Sequence, residues 1–302
     1  MNNEYYCGLN NHGNTCFFNS ALQSLLRCSV FINFINSLEI DHELIENFKE
    51  LIKDYKENSN KSISPIKLVK YYSKINKRYR IGSQDDSDEV ITYFIGELDD
   101  IIKKEIKEGR LENSVIKGDI TVDKMIDYLF GVVIRTYIKC LNCDNISQLN
   151  TTEYKLSLQI DNKKKLDDII NEYSNTEKLE GDNQYHCEKC KKKVDALKTD
   201  KIIKTPKYLH IQLKRFENDG RRLSKIDDKV EVPIFLNLCD SKYNLRGCVH
   251  HYGSINGGHY IYNYNKNKSD SYKNWICLND SGISNKDVSD EINNGYVYLY
   301  VK

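Results

Sequence analysis

This chain of 302 residues has almost no net charge, no long apolar run and only three prolines. Lys plus Arg number 45 and Asp plus Glu 44, so no global field draws it to nucleic acid or to an acidic membrane, and any partner must be recognised locally. Nothing approaches the roughly 18 consecutive apolar residues of a membrane span, and no apolar core follows a basic start at the amino terminus. The expected location is therefore the cytosol or the nucleus, with neither a membrane nor a nucleic acid as partner. That compartment is reducing, which removes disulfides as the reason for ten cysteines. The scarcity of proline carries no functional message. Internal repeats and low-complexity linkers are also missing, and the clusters Lys163 to Lys165 and Lys191 to Lys193 read as solvated faces. A hydrophobic content of 39% over this length suits one large domain or two small ones with a real core.

What is present divides the chain in two. Ala21, Leu22, Leu25, Leu26, Val30 and Phe31 recur at helical spacing, so a helix starts close to Cys16. Leu44, Ile45, Phe48, Leu51, Ile52 and Tyr55 predict another, and Ser64-Pro65 reads as an N-cap with proline at the first helical position. A longer helix is predicted from about Asp86 to Glu108, stopped at Gly109. Beyond Asp119 the texture changes to short segments rich in β-branched and aromatic residues: Val132 to Lys139, Glu153 to Ile160, Tyr208 to Phe216, Tyr243 to His251, His259 to Tyr264 and Tyr296 to Val301. Asp219-Gly220 is expected to close a hairpin between the third of these and a strand at Arg221 to Ile226. Helices first and strands afterwards predict an α+β enzyme with a cleft between a helical lobe and a sheet lobe.

The stretch GLNNHGNTCFFNSALQSLLRC, Gly8 to Cys28, sets Cys16 at the start of its helix. Free backbone N–H groups and the macrodipole favour an anion there, which is expected to lower the thiol pKa from its free value of about 8.5. A helix start by itself suits a buried structural cysteine equally well. A thiolate enzyme also needs a base, and usually a group that orients the base. His259 follows Gly257-Gly258 and opens a strand, and the two glycines would let a substrate backbone come close beside the imidazole. Downstream, Asn279 and Asp280 offer an amide and a carboxylate, either of which could accept the second ring N–H and fix the tautomer.

Four other cysteines have a separate logic. Cys140-Leu-Asn-Cys143 and Cys187-Glu-Lys-Cys190 are CxxC turns with 43 residues between them, and together they can complete a tetrahedral Cys₄ shell around one zinc ion. Four protein ligands leave no open position for water, so this metal is expected to tie strand pairs together and to do no chemistry. Neither turn sits in the βαβ context of a thioredoxin-like redox pair.

Read together, these segments resemble the ubiquitin-specific proteases, papain-like cysteine peptidases that remove ubiquitin from proteins. The resemblance rests on GLNNHGNTCFFNSALQ, on QDDSDEVITYFIGEL (Gln84 to Leu98) and on GGHYIYNY followed by WICLNDSGIS. Between them, YHCEKC, LHIQLKRF (Leu209 to Phe216) and KVEVP (Lys229 to Pro233) follow in family order, so that the likeness runs from about Tyr6 to Tyr300. It implies a single catalytic domain, with a helical thumb over about residues 6–115 and β-rich palm plus zinc-ribbon fingers over about 116–302. It also implies Cys16 as nucleophile, His259 as base, Asn279 as the orienting member with Asp280 in reserve, and Asn11 in the oxyanion hole beside the Cys16 backbone N–H. Gln84, Asp86, Glu89, Gly257, Gly258 and Tyr260 fall at positions implied to bind substrate. Asp86 and Glu89, three residues apart on one helix face, would read the basic tail of ubiquitin, while Asp85 and Asp88 would merely complement the helix dipole.

The departures from the family pattern, at Phe17-Phe18, Val90 and Leu278, keep apolar volume and are expected to change packing more than chemistry. The implied partners are ubiquitin, ubiquitinated proteins and an activating protein. The one implied cofactor is a structural zinc. Two other readings compete: a ubiquitin-binding scaffold without chemistry, and a protease for a related ubiquitin-like modifier. A plain zinc-ribbon module would leave Asn11, Cys16 and His259 without a purpose.

Overall fold

Residues 5–218, 223–254 and 257–302 are described in the computed structural model of the chain. Five helices come first: α1 (Cys16–Leu25), α2 (Ser29–Ser37), α3 (Glu43–Glu57), α4 (Ile66–Ile75) and α5 (Ser87–Lys107). The single periodic run after Cys16 is thus two helices, broken at 26–28. α5 matches its expected bounds closely: Asp86 is the N-cap, its side chain accepting from the Asp88 N–H, and Gly109 takes a φ of +72° just beyond the last turn. Pro65 occupies the N-cap of α4 rather than its first turn, one residue earlier than expected. Two shorter helices follow, α6 (Met125–Phe130) and α7 (Leu166–Glu172). α6 packs into the core of the helical lobe, which carries that lobe as far as Phe130.

The largest sheet has eight strands. Its order runs Gly282–Lys286, Trp275–Asn279, Gly257–Tyr264, Ser241–Ser254, Val297–Val301, Tyr208–Lys214, Leu156–Gln159, with Phe235–Leu238 pairing the start of Ser241–Ser254. Alternation along the strands gives the sheet two apolar faces. Tyr260, Tyr262, Tyr264, Val297 and Leu299 join the helical lobe, while Leu209, Ile211, Leu213, Tyr298 and Tyr300 pack with α7 on the other side. α1 lies between lobe and sheet and is buried on every side. Its polar residues therefore act as bolts: Gln23 donates to the Cys7 carbonyl (2.7 Å) and Ser24 bonds His210 Nε2 (3.1 Å).

A second sheet of four strands, in the order Ile146–Glu153, Val132–Cys140, Ala196–Lys204, Glu177–Leu179, projects with a two-stranded ribbon, Tyr185–Cys187 and Lys192–Val194. The edge strand Ile146–Glu153 is solvated on both faces, so it lacks the alternation that would have announced it. Phe216–Asn218 and Leu223–Lys225 pair antiparallel as expected, while the Asp219-Gly220 turn lies outside the described residues.

Candidate active site

A turn built by side chains sets up the start of α1. Asn11 Oδ1 accepts from the N–H groups of Gly13 (3.0 Å) and Thr15 (3.1 Å), and Gly13 and Asn14 both take positive φ. The Thr15 hydroxyl accepts from the His12 N–H (2.9 Å) and does not cap the helix, which leaves the first-turn N–H groups to Cys16 Sγ. Cys16 is 3% exposed. Burial pushes its thiol above the ordinary cysteine value; the backbone N–H of Tyr260 pulls it down, the Asp280 carboxylate pushes it up, and the N–H groups of Phe17 and Cys16 pull it down again. The expected lowering by the helix start is therefore overturned, because desolvation of a nearly closed site outweighs the N–H groups.

The Tyr260 N–H on Cys16 Sγ also places the thiol beside the start of the Gly257–Tyr264 strand, one residue from His259. His259 Nε2 lies 2.6 Å from Asn279 Oδ1. An amide oxygen only accepts, so Nε2 carries the proton and donates, and Nδ1 is left with its lone pair. Of Asn279 and Asp280, it is the Asn279 side chain that meets the imidazole. Asp280 turns away in the left-handed region (φ 49°), where its Oδ2 accepts from Asn11 Nδ2 (2.9 Å) and its Oδ1 from Asn19 Nδ2 (2.7 Å). Its carbonyl accepts from the Leu9 N–H (2.7 Å), and Gly8 is required here because a Cβ would sit 2.3 Å from the Ser281 carbonyl oxygen. Asn11 is consequently locked with its oxygen on the turn and one Nδ2 hydrogen on Asp280, and its second Nδ2 hydrogen remains for another acceptor.

Gln84 spans the cleft. Its Nε2 donates to the Gly258 carbonyl (2.9 Å) and its Oε1 accepts from the Gly258 N–H (3.2 Å), clasping the helical lobe to the strand that carries His259. Gly258 is glycine for an internal reason: a Cβ would lie 2.1 Å from His251 Nε2, so that this face meets a side chain of the protein rather than an incoming backbone. Gly257 is open, with only Gln84 Oε1 at 3.9 Å. Tyr260 is buried, its ring 4.6 Å from that of His251.

The acidic box divides differently from its sequence reading. Asp86 is the helix cap, with the Tyr296 hydroxyl donating to its Oδ2 (2.5 Å), and burial raises its pKa to about 6. Asp85 accepts from the Tyr72 hydroxyl (3.0 Å). Asp88 is no solvated decoration but a buried carboxylate paired with Lys155. Glu89 alone is exposed, and it makes no ion pair among the described residues. Sequence reasoning missed Asn19, Tyr296 and Lys155. Only Asn19 left a signal, as an amide within a helix that has to be buried.

At the tip of the second sheet, the Sγ atoms of Cys140, Cys143, Cys187 and Cys190 lie within 4.8 Å of one another. The separations are 3.5 Å for 140–143, 3.8 Å for 143–187 and 3.9 Å for 140–190. A tetrahedron with metal–sulfur bonds of about 2.3 Å requires sulfurs about 3.8 Å apart, so the four cysteines fit such an ion. The two turns are built alike, with Asp144 and Lys191 at φ of +54° and +55° and their N–H groups bonded to the carbonyls of Cys140 and Cys187. Asn142 adds Nδ2 to Cys190 Sγ (3.3 Å) as an outer hydrogen bond.

The profile of the ubiquitin carboxyl-terminal hydrolase family matches residues 7–300. Ubiquitin carboxyl-terminal hydrolase 4 of Arabidopsis thaliana is 26% identical over 345 aligned positions, which cover 98% of this chain and 93% of that protein. Among solved structures, the SAGA DUB module of Ubp8, Sgf11, Sus1 and Sgf73 bound to monoubiquitin is similar, with a TM-score of 0.75 and 27% identity over 98% of this chain and 68% of that one.

Proposed function

This chain belongs to the ubiquitin carboxyl-terminal hydrolase family, whose members are cysteine peptidases, and from that premise we propose that it hydrolyses the bond after the carboxyl-terminal glycine of ubiquitin through Cys16, His259 and Asn279. One observation carries the reading: His259 Nε2 is held by Asn279 Oδ1 while the Tyr260 N–H next to it contacts Cys16 Sγ.

The thiol proton passes from Cys16 to Nδ1 of His259, and the thiolate attacks the carbonyl carbon of the terminal glycine. The oxyanion is held by the Cys16 backbone N–H and by the free Nδ2 hydrogen of Asn11, which Asp280 keeps in place. Imidazolium then gives its proton to the departing lysine nitrogen as the C–N bond breaks and the thioester remains. Water, giving a proton to the same imidazole, hydrolyses the thioester and restores the thiol. Deprotonation by His259 is needed because the buried Cys16 thiol does not ionise readily by itself.

Glu89, solvated and unpaired among the described residues, is the carboxylate best placed to pair with a tail arginine, while Asp86 shapes the box from within. Zinc is the ion assigned to the four cysteines. Bound there it supplies cross-linking and no chemistry, and the thiolates hold the two turns as one tip. The partners are ubiquitin and ubiquitinated proteins. That the similar DUB module carries Sgf11, Sus1 and Sgf73 supports an activating partner here as well. The chain is one catalytic domain over 1–302, acting in the cytosol or the nucleus.

A ubiquitin propargylamide probe is the test: covalent capture by the protein and none by Cys16→Ala is the expected result. Capture of a related modifier in place of ubiquitin would favour the runner-up protease, and reversible ubiquitin binding without capture would favour a scaffold.

A further inference from the structure

The proposed reaction has an acyl side and a leaving-group side. Groups of the helical lobe bound the acyl side: Gln84 reaches Gly258 across the cleft, and Glu89 stands in the first turn of α5. The leaving lysine nitrogen has to come within reach of the same imidazole, which gives it a proton. What it meets there is set by the register of the large sheet.

Tyr260 turns to the helical lobe, so its neighbour His259 projects from the opposite face of the strand Gly257–Tyr264. Directly across from His259, on the antiparallel strand Ser241–Ser254, its register partner is Tyr252. Residues paired in this way share a face, with Cβ atoms about 5 Å apart. Tyr252 is 41% exposed.

Its ring is nevertheless fixed. The hydroxyl donates to Glu291 Oε2 (2.5 Å), and Glu291 is itself held by Lys286 Nζ (2.9 Å) and by Asn263 Nδ2 (2.8 Å). The His250 ring lies nearly parallel beside that of Tyr252, at 6.2 Å between centroids and 20° between planes, and Lys286 Nζ stands 5.9 Å from the Tyr252 centroid. Burial and the Glu291 carboxylate push the Tyr252 pKa up, so the hydroxyl stays a donor bound to Glu291.

Stability alone does not call for this arrangement, since an aromatic whose polar end is satisfied within the protein gains nothing by leaving its ring in water. A ring ordered beforehand offers a substrate contact area at low entropic cost. The side chain of an acceptor lysine is a run of methylenes ending at the scissile nitrogen, and such stems lie readily along apolar surface. Granted the peptidase activity assigned to Cys16 and His259, on which this inference rests, we propose that Tyr252 determines specificity on the leaving-group side, its ring receiving the aliphatic stem of the acceptor lysine while His259 protonates the nitrogen.

Two substrates test this: a peptide carrying ubiquitin on a lysine side-chain nitrogen, and the same peptide carrying it on diaminopropionate, whose short stem has too few methylenes to cover the ring. The parent should prefer the lysine substrate in kcat/KM. Tyr252→Ala should reduce that preference about 5- to 10-fold, chiefly through the lysine substrate, while Tyr252→Phe keeps the ring and should retain most of it. Capture by ubiquitin propargylamide, which has no leaving amine, should fall less in Tyr252→Ala than hydrolysis of the lysine substrate does. Equal losses on both substrates and on capture would make Tyr252 structural and overturn the proposal, as would an unchanged preference in Tyr252→Ala or a Phe variant as poor as the Ala variant. A parent that captures no probe would remove the peptidase reading and this proposal with it, whereas capture without a lysine preference would overturn the role of Tyr252 alone.

Discussion

Five of the cysteines fall in two regions that use the same atom in opposite ways. At the tip of the second sheet four thiols crowd within 4.8 Å and are useful only together. At the head of α1 a single thiol is nearly sealed from water, its pKa pushed up by burial. The tip is local: each turn is closed within five residues by an N–H to carbonyl bond and a left-handed residue. Cys16 gains its surroundings from residues nearly the whole chain away: the two ends of the Asn11–Asp280 hydrogen bond are 269 positions apart. The same side chain is thus a candidate metal ligand where neighbours in sequence supply the geometry, and a candidate nucleophile where the fold supplies it.

Exchanging the fates of the two regions is the hardest test of that contrast. Cys16→Ala should lower turnover of a fluorogenic ubiquitin substrate at least about 10⁴-fold, with an unchanged melting temperature. Cys187→Ser should do the reverse, with lost metal by elemental analysis, a lower melting temperature and an intact site for probe capture in the fraction that stays folded. Chelation should reproduce the Cys187→Ser result. A stable, fully active metal-free protein would remove the structural role of the tip.

Next in size is the oxyanion pair. Asn11→Ala should reduce kcat by about 10²–10³ with little change in KM. Asp280→Asn should cost less than Asn11→Ala if Asp280 acts only by holding Asn11, and the double variant should be no worse than Asn11→Ala alone. Asn279→Ala should reduce kcat more than it changes KM, and a larger loss in Asp280→Ala would reverse the assignment of the orienting residue. Glu89→Ala should lower kcat/KM by about 10-fold, an effect that shrinks when the tail arginines of ubiquitin are replaced by alanine. Additive losses would leave Glu89 as surface charge.

The smallest expected effect is a shift in pH. Because burial and Asp280 both raise the Cys16 pKa, removing the Asp280 charge must lower it. The pH profile of Cys16 alkylation should move to lower pH in Asp280→Asn even as turnover falls. Faster alkylation at neutral pH together with slower catalysis separates positioning from charge; a profile moved to higher pH would contradict the electrostatics.

Much of this was legible beforehand because its causes are short-range. The caps of α5, the strands with alternating apolar residues and the two CxxC turns depend on neighbours a few residues away. Ile146–Glu153 was illegible since no face of it is buried, and the break at 26–28 since both helices share one apolar period. Asp88 illustrates the limit most clearly: as a carboxylate in a first turn it looks solvated, and only Lys155, 67 positions away, explains its burial.

Sequence by itself determined the class of fold and the two CxxC turns whose four cysteines could hold a metal ion, because residue type and spacing carry that information. Tertiary structure alone decided that Asn279 and not Asp280 faces the imidazole, that Asp280 holds Asn11, that Gln84 closes over Gly258, and that the Cys16 thiol pKa goes up rather than down. Each of these depends on which polar groups meet across a cleft and on how much water remains between them. Neither quantity exists until distant segments pack, since hydrogen-bond direction and desolvation are properties of the assembled site.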